Sequence, residues 1–296
     1  MKASLSLRNG LAIAWLHCYR LIKKLAGPPA VGAFRILVFH HVPPPQLSAF
    51  ERLIQYVLDA HGVLTPREAE ARLHVKGPSI TDDRIPCLLT FDDGYVSNVT
   101  VARTVLNRYG IQALFFICPG LMDIPQARQR EAISRHIFEG ELDTGSIPDD
   151  MGLMSWADVQ SLVQAGHTIG SHALFHRRLS RLADEDRRGE IIDSGSFLED
   201  RLEIPVRWFA YPFGDLRSID SYSLRIIGDR YEFCCSTLRG VNAVTTRPLE
   251  LLRDHIDLSE SFAYQRMSLA GGLDFRYRRS VKQLASLIDG VSCPTF

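Results

Sequence analysis

Ile85-Pro86-Cys87-Leu88-Leu89-Thr90-Phe91-Asp92-Asp93-Gly94 is the stretch on which the fold reading turns. A short apolar run that stops at polar and turn-forming residues reads as a buried strand. Here the run Ile85 to Phe91 leads straight into two adjacent carboxylates. Burying one unpaired carboxylate is costly, and burying two side by side is worse unless a cation or a proton compensates. By itself the pair is equally compatible with an ordinary helix N-cap followed by a glycine turn. A helical pattern does follow, over Val99 to Tyr109, closed by Gly110.

The same unit recurs on both sides of this stretch. Upstream, Ile36 to Phe39 ends in His40-His41-Val42-Pro43, and a helix is expected from Ser48, as its cap, through Phe50, Leu53, Ile54, Val57 and Leu58. Downstream, the run Ala113 to Cys118 ends at Pro119-Gly120. A helix over Trp156 to Ala165 stops at Gly166, and the strand His167 to Gly170 ends in Ser171-His172. A helix around Glu185 to Arg201 precedes the strand Val206 to Ala210, which ends in Tyr211-Pro212-Phe213-Gly214, and Tyr231 to Ser236 is a last strand. Such alternation favours parallel strands joined by helices. His40, Asp92, Asp93, His172 and the Tyr211 to Gly214 turn all fall just past the ends of separate strands. In a parallel barrel those ends gather on one face, and an open doubly wound sheet also binds ligands there. No GxGxxG or GxxxxGK[ST] follows any strand, so nucleotide binding has no support. Residues 120–154, rich in charge and containing Pro125 and Pro148, read as a loop insertion that covers the site.

His172 and His176 are four residues apart, a spacing that brings both rings to one side of a helix or tight turn. With ten histidines in the chain the spacing alone is weak. Joined to one carboxylate, the pair makes a three-ligand set with open positions, the way a catalytic divalent ion is held. The second carboxylate is then free to act as a general base.

These segments resemble the polysaccharide deacetylases of carbohydrate esterase family 4, the nodulation-type chitooligosaccharide deacetylase homology domain. Thr90 to Gly94 is similar to the first motif of that family, Gly170-Ser171-His172 through His176 to the second, and Phe209 to Gly214 to a variant of the third. The resemblance spans about residues 35 to 260. It implies a distorted α/β barrel of the (β/α) kind with about seven parallel strands, in a single domain over 35–296. It also implies removal of N-acetyl groups from amino sugars of a polysaccharide, oligosaccharide or glycan precursor. Asp93, His172 and His176 would hold a divalent metal, zinc first, with cobalt, nickel or iron compatible. Asp92 would take the proton of the attacking water, and the Phe213 N–H would hold the oxyanion, with Tyr211 and His40 around the substrate. The third motif departs from the commoner pattern, in which an Arg pairs with the base and here Ala210 stands in that position. Arg207, three residues earlier on a strand, points to the opposite face, so Arg253 is the expected substitute. His255 is the first candidate for the general acid and His40 the second.

The whole chain has 296 residues, with 34 basic against 34 acidic side chains and 46% hydrophobic content. A net charge of zero argues against a nucleic-acid partner, which phosphate contacts would tie to a basic surplus, and it suits an uncharged acetylated glycan. No apolar run reaches the roughly 18 to 20 residues of a membrane span. Six scattered cysteines without a CxxC pair read as buried thiols. Residues 1–34 form an N-terminal extension whose Leu7, Leu11, Ala14, Trp15, Cys18, Leu21, Ile22 and Leu25 recur at helical steps among Arg8, Arg20, Lys23 and Lys24. Packing on the body is the expectation, the alternative being peripheral contact with an anionic membrane surface. The lack of a signal-peptide pattern makes a cytoplasmic location the expectation, at the inner face of the membrane in the second case. Two further readings stay open: hydrolysis of a non-sugar amide at the same metal site, and a catalytically silent carbohydrate-binding protein, for which Ala210 is the only encouragement.

Overall fold

A computed structural model describes residues 2–25, 29–74 and 84–289. The strands are β1 (Arg35–Phe39), β2 (Val63–Leu64), β3 (Cys87–Phe91), β4 (Leu114–Ile117), β5 (Thr168–Ser171), β6 (Trp208–Ala210), β7 (Phe233–Cys235) and β8 (Asp254–His255). Between them lie α1 (Lys2–Leu25), α2 (Leu47–Ala60), α3 (Pro66–Leu73), α4 (Val96–Val101), α5 (Gln126–Ala132), α6 (Trp156–Gln164), α7 (Asp184–Arg188), α8 (Ser194–Leu202), α9 (Ser221–Arg230), α10 (Phe262–Leu269) and α11 (Arg278–Ile288).

Seven strands run parallel in the order β7-β6-β5-β4-β3-β1-β8, and β2 pairs alongside β3. The sheet curls back on itself. Leu251, just ahead of β8, bridges in parallel to Cys235, its N–H donating to Cys234 O at 3.0 Å while Ser236 N–H donates to Leu251 O at 2.8 Å. The result is the distorted (β/α) barrel of seven parallel strands.

The period-2 alternation of the strands sorts their side chains into two apolar layers. Leu37, Phe39, Leu89, Phe91, Phe115, Ile117 and Phe209 pack with helix residues such as Phe50, Leu53, Val105 and Leu224, which marks them as the outer face. Ile36, Leu88, Leu114, Phe116, Trp208, Phe233 and Leu251 fill the barrel, joined from one end by Ala69 and Leu73 of α3. At that end Trp208 Nε1–H donates to Glu70 at 2.8 Å, and Arg207 pairs with both Glu70 and Glu232. Arg207 is therefore at the far end of the barrel from the strand C-termini.

Several expectations need correction. Ser48 does not cap α2, because a 3-10 turn at Pro44–Gln46 leads in and Gln46 holds the N-cap position without a side-chain bond. Residues 120–154 are not an irregular loop. They carry α5, a wide π turn at Ile133–Ile137 and a 3-10 turn at Thr144–Ser146, and they bury Ile133, Ile137, Ile147, Leu153 and Met154. The fifth strand begins at Thr168, since His167 turns its Nδ1 to accept the Ala113 N–H at 3.2 Å.

The N-terminal helix α1 packs along α10. Arg8 pairs with Glu260, Ser261 Oγ–H donates to Asn9 at 2.8 Å, and Ala12 is fully buried, while Leu11 and Ile13 face solvent. The side chains of Leu7, Arg20, Leu21, Ile22, Lys23, Lys24 and Leu25 lie outside the described residues. Among the described residues no helix is long and apolar enough to cross a membrane.

Candidate metal and catalytic site

Asp92 continues the inward alternation Leu88, Thr90, Asp92, and its N–H still donates to Phe39 O at 2.9 Å. Asp93, the next residue, would face outward on an extended chain. Instead its φ is 71° and that of Gly94 is 77°, so two left-handed residues in succession swing the second carboxylate back over the barrel mouth. A left-handed Asp costs about 1–2 kcal/mol of backbone strain. His172 follows β5, and its turn contains two more left-handed non-glycine residues, Ala173 at 64° and His176 at 59°.

The two imidazoles are oriented by carbonyls. His172 Nδ1–H donates to Ala210 O at 2.7 Å, and His176 Nδ1–H donates to His136 O at 3.0 Å. With Nδ1 protonated, each Nε2 presents a lone pair, and each lies 3.4 Å from Asp93 Oδ1. The three ligand atoms fall within 4.8 Å of one another on buried residues. Among the described residues Asp93 Oδ1, a buried oxygen, has no hydrogen-bond partner. Two imidazole nitrogens and one carboxylate oxygen, preset by carbonyl partners, fit a divalent ion of the zinc class.

Arg253 lies within the barrel and grips Asp92 with both ends of its guanidinium, at 2.7 Å to Oδ1 and 2.8 Å to Oδ2. Its Nε–H donates to Ser236 O at 2.8 Å, and its Cζ sits 5.1 Å from the centre of the Phe116 ring. Burial by itself would push Asp92 up, but Arg253, joined by His172 and His40, outweighs it and holds the carboxyl below its usual range. Burial also works against ionised Asp93, but the neighbouring rings of His172, His176 and His40 overcome it and hold the carboxyl below its usual range. His172, although buried, is raised by the two carboxylates, while burial pushes His176 down to about 4. Two carboxylates against one guanidinium leave a single negative charge for a cation to satisfy.

A cavity of about 540 Å³ opens over this cluster, lined by Asp93, His176, His40, Tyr95 and Phe213. Ile137, Phe138, Glu139 and Met151 from the 120–154 segment complete its wall. His40 Nε2 stands 4.0 Å from Asp92 Oδ2. His255 does not line this cavity. It sits on β8 opposite Val38, its ring 5.7 Å from that of His40, and it faces a neighbouring cavity of about 260 Å³ with Thr237 and Arg239. His255 is exposed at the surface, yet the protein packed around the ring, and then His40, hold it down to about 4. Tyr211 is buried and does not line the cavity either. Phe213 takes the surface position because its left-handed backbone, φ 65°, turns the ring onto His176 at 4.7 Å between centroids.

Three partners had no signal in the sequence. Arg178 stacks on Phe213 at 4.1 Å and joins Glu139 to Asp215 and Ser218, tying the 120–154 segment to the third-motif turn. His136 offers only its backbone carbonyl. His41 contacts Ser97 Oγ at 3.0 Å and lies 3.6 Å from Asp150.

Residues 80–227, half of the chain, match the sequence model of the family described as polysaccharide deacetylase. YxkH of Bacillus subtilis, a polysaccharide deacetylase by name, is 25% identical over 170 residues, which are 56% of this chain and 49% of YxkH. The chain thus spans about half the length of this curated relative. The Streptococcus pyogenes deacetylase PplD superposes with a TM-score of 0.61 at 20% identity, over 81% of this chain and 99% of that one. IcaB from Ammonifex degensii gives 0.57 at 20% identity, over 82% and 98%. These likenesses are to the fold, and with the family match over half its length the chain belongs to the polysaccharide deacetylase family.

Proposed function

We propose that the chain is a metal-dependent hydrolase that removes N-acetyl groups from the amino sugars of a polysaccharide, oligosaccharide or glycan precursor. The observation that carries the reading is the division between the two adjacent carboxylates, Asp92 gripped by Arg253 and Asp93 facing two oriented imidazoles. Asp93, His172 and His176 would hold the ion, zinc first, with cobalt, nickel or iron as substitutes. Such an ion, when bound, acidifies water and polarises a carbonyl.

The protein's own residues supply the rest. Asp92, kept ionised and fixed in direction by Arg253, accepts the proton of the attacking water. The Phe213 N–H, on a turn held by the Thr237 Oγ–H bond to Phe213 O at 3.1 Å, faces the developing oxyanion. His40 is the better placed acid for the leaving amine, because it shares the cavity with Asp93 and His176 and lies 4.0 Å from Asp92, whereas His255 lines the neighbouring cavity. Phe138, Tyr95 and Phe213 offer apolar faces to the sugar ring and the acetyl methyl. The Streptococcus pyogenes deacetylase was solved in complex with acetate, the product this reaction would release.

The test is acetate release from a panel of N-acetylated glycans, with and without a chelator, alongside the metal content of the purified protein. Release that stops on chelation and returns with zinc is expected. Zinc uptake with no acetate from any amino sugar, but hydrolysis of another amide, would move the substrate outside glycans.

A further inference from the structure

Glu190 is a buried carboxylate that the proposed chemistry does not use. It is 2% exposed and, among the described residues, no Lys or Arg side chain pairs with it. A carboxylate so placed is costly unless it is hydrogen-bonded. It lies in a wide π turn, Gly189–Asp193, between α7 and α8, a distortion that in helices often marks a functional position. Its partners here lie in the turn between the two imidazoles and just past it. Phe175 N–H donates to Glu190 Oε2 at 2.9 Å, and Leu174 N–H donates to the Glu190 carbonyl at 3.1 Å. Burial pushes the Glu190 carboxyl up, and the Phe175 amide, the Arg177 charge and the Arg177 amide offset this only in part.

The turn is held from its other side as well. Gly120 N–H donates to Leu174 O at 2.9 Å, and a Cβ on Gly120 would come within 2.4 Å of the Phe175 ring. The turn needs such support, because Ala173 and His176 both adopt left-handed backbone, at about 1–2 kcal/mol each. We infer that Glu190 is a positioning residue for the metal site, a hydrogen-bond acceptor that fixes the turn and so the separation of His172 from His176. This rests on the metal reading above.

The test uses the full chain stripped of metal and titrated with zinc against a chromophoric chelator, together with hydrogen exchange of the 173–177 amides in the metal-free protein. Glu190→Gln keeps an acceptor oxygen and should bind zinc within about threefold of the parent. Glu190→Ala should bind about 10- to 100-fold more weakly, the usual effect of losing a residue that orients a ligand, and its 173–177 amides should exchange faster. If Glu190→Ala fails to fold, Glu190→Asp, one methylene too short to reach Phe175, carries the same expectation. Unchanged exchange in these amides overturns the inference whatever zinc does. Equal weakening by Gln and Ala also overturns it, since charge rather than the hydrogen bond would then be at stake. A parent protein that binds no zinc refutes the metal reading, while faster exchange in Glu190→Ala would still uphold the anchoring of the turn.

Discussion

Arg253→Met tests the centre of the site. The substitution keeps much of the apolar stem and removes the fork that reaches both oxygens of Asp92, at 2.7 and 2.8 Å, between side chains that are 0% and 1% exposed. Breaking a buried pair from one side strands the other charge and costs about 3–5 kcal/mol. Part of that belongs elsewhere, because Ser236 O also loses its donor, a buried acceptor worth about 1–3 kcal/mol. In an Asp92→Asn background no carboxylate is left to strand, and Arg253→Met also removes the guanidinium that the first substitution stranded, so at most that smaller share should remain. The double-mutant cycle should then show a coupling of at least about 2 kcal/mol, well outside the additivity of about 0.5 kcal/mol expected of independent sites. Urea unfolding of the four proteins at pH 7 measures it. Acetate release by Arg253→Met should drop by at least about 10²-fold, the lower range for a lost general base. Arg253→Lys should not restore it, since an ammonium is a single point where the site needs a planar fork. Additive free energies, or full activity in Arg253→Lys, would refute the role assigned to the pair.

Asp92→Asn should lower acetate release by about 10²- to 10⁴-fold with an unchanged metal content, read from single-turnover kinetics and elemental analysis of one preparation. Removing the metal should lower unfolding stability by about 2.7 kcal/mol relative to protein at a free-metal concentration 100 times Kd; a curve indifferent to zinc would contradict the site. Gly214→Ala places a Cβ at φ 67° and 2.3 Å from Thr237 Cγ2, so it should destabilise the third-motif turn and cut kcat while zinc affinity stays the same. His167 is buried and held down to about 4 from an ordinary 6.5, so it folds as the neutral base. Its contribution is complete above about pH 6.5 and is lost as pH falls toward about 4, so His167→Gln should flatten the stability profile in that window.

The barrel was legible where each strand is an apolar run cut off by glycine or a polar cluster, as in Cys87–Phe91 and Leu114–Ile117. Two strands left no such trace. Val63–Leu64 is too short to show a period, and Asp254–His255 contains no apolar residue, its place being set by Leu251 and Arg253 on the barrel side. The helix in 120–154 is hidden by its charges, since Ala132, Ile133 and Ile137 are its only buried members. Motif spacing brings out Asp92, Asp93, His172 and His176 because they are neighbours in sequence. The partners of these residues are not: Arg253 lies 161 residues from Asp92, and Arg178 meets Glu139 only across the folded cavity. His40 is half-buried and lines the cavity over Asp93, whereas His255 is exposed and lines the neighbouring one, a difference that the sequence does not carry.

The different tasks of Asp92 and Asp93 come from the backbone, not from the side chains, which are identical. Alternation along β3 delivers Asp92 to the barrel interior at the level of Arg253, where both oxygens are taken up by one guanidinium. Continued alternation would send Asp93 into the outer apolar layer beside Phe91 and Phe39, where an unpaired carboxylate costs several kcal/mol or gives up its charge. A left-handed residue costs only about 1–2 kcal/mol, and Gly94, also at positive φ, lets the chain leave that turn without further strain. The strained turn is thus the cheaper solution, and it brings the second carboxylate to two imidazoles whose protons are already committed to the carbonyls of Ala210 and His136. Neither nitrogen can donate to Asp93 without taking up a proton, so the cluster is poised for a cation: the two carboxylates raise His172 toward its protonated form, and a divalent ion meets the same demand without a proton.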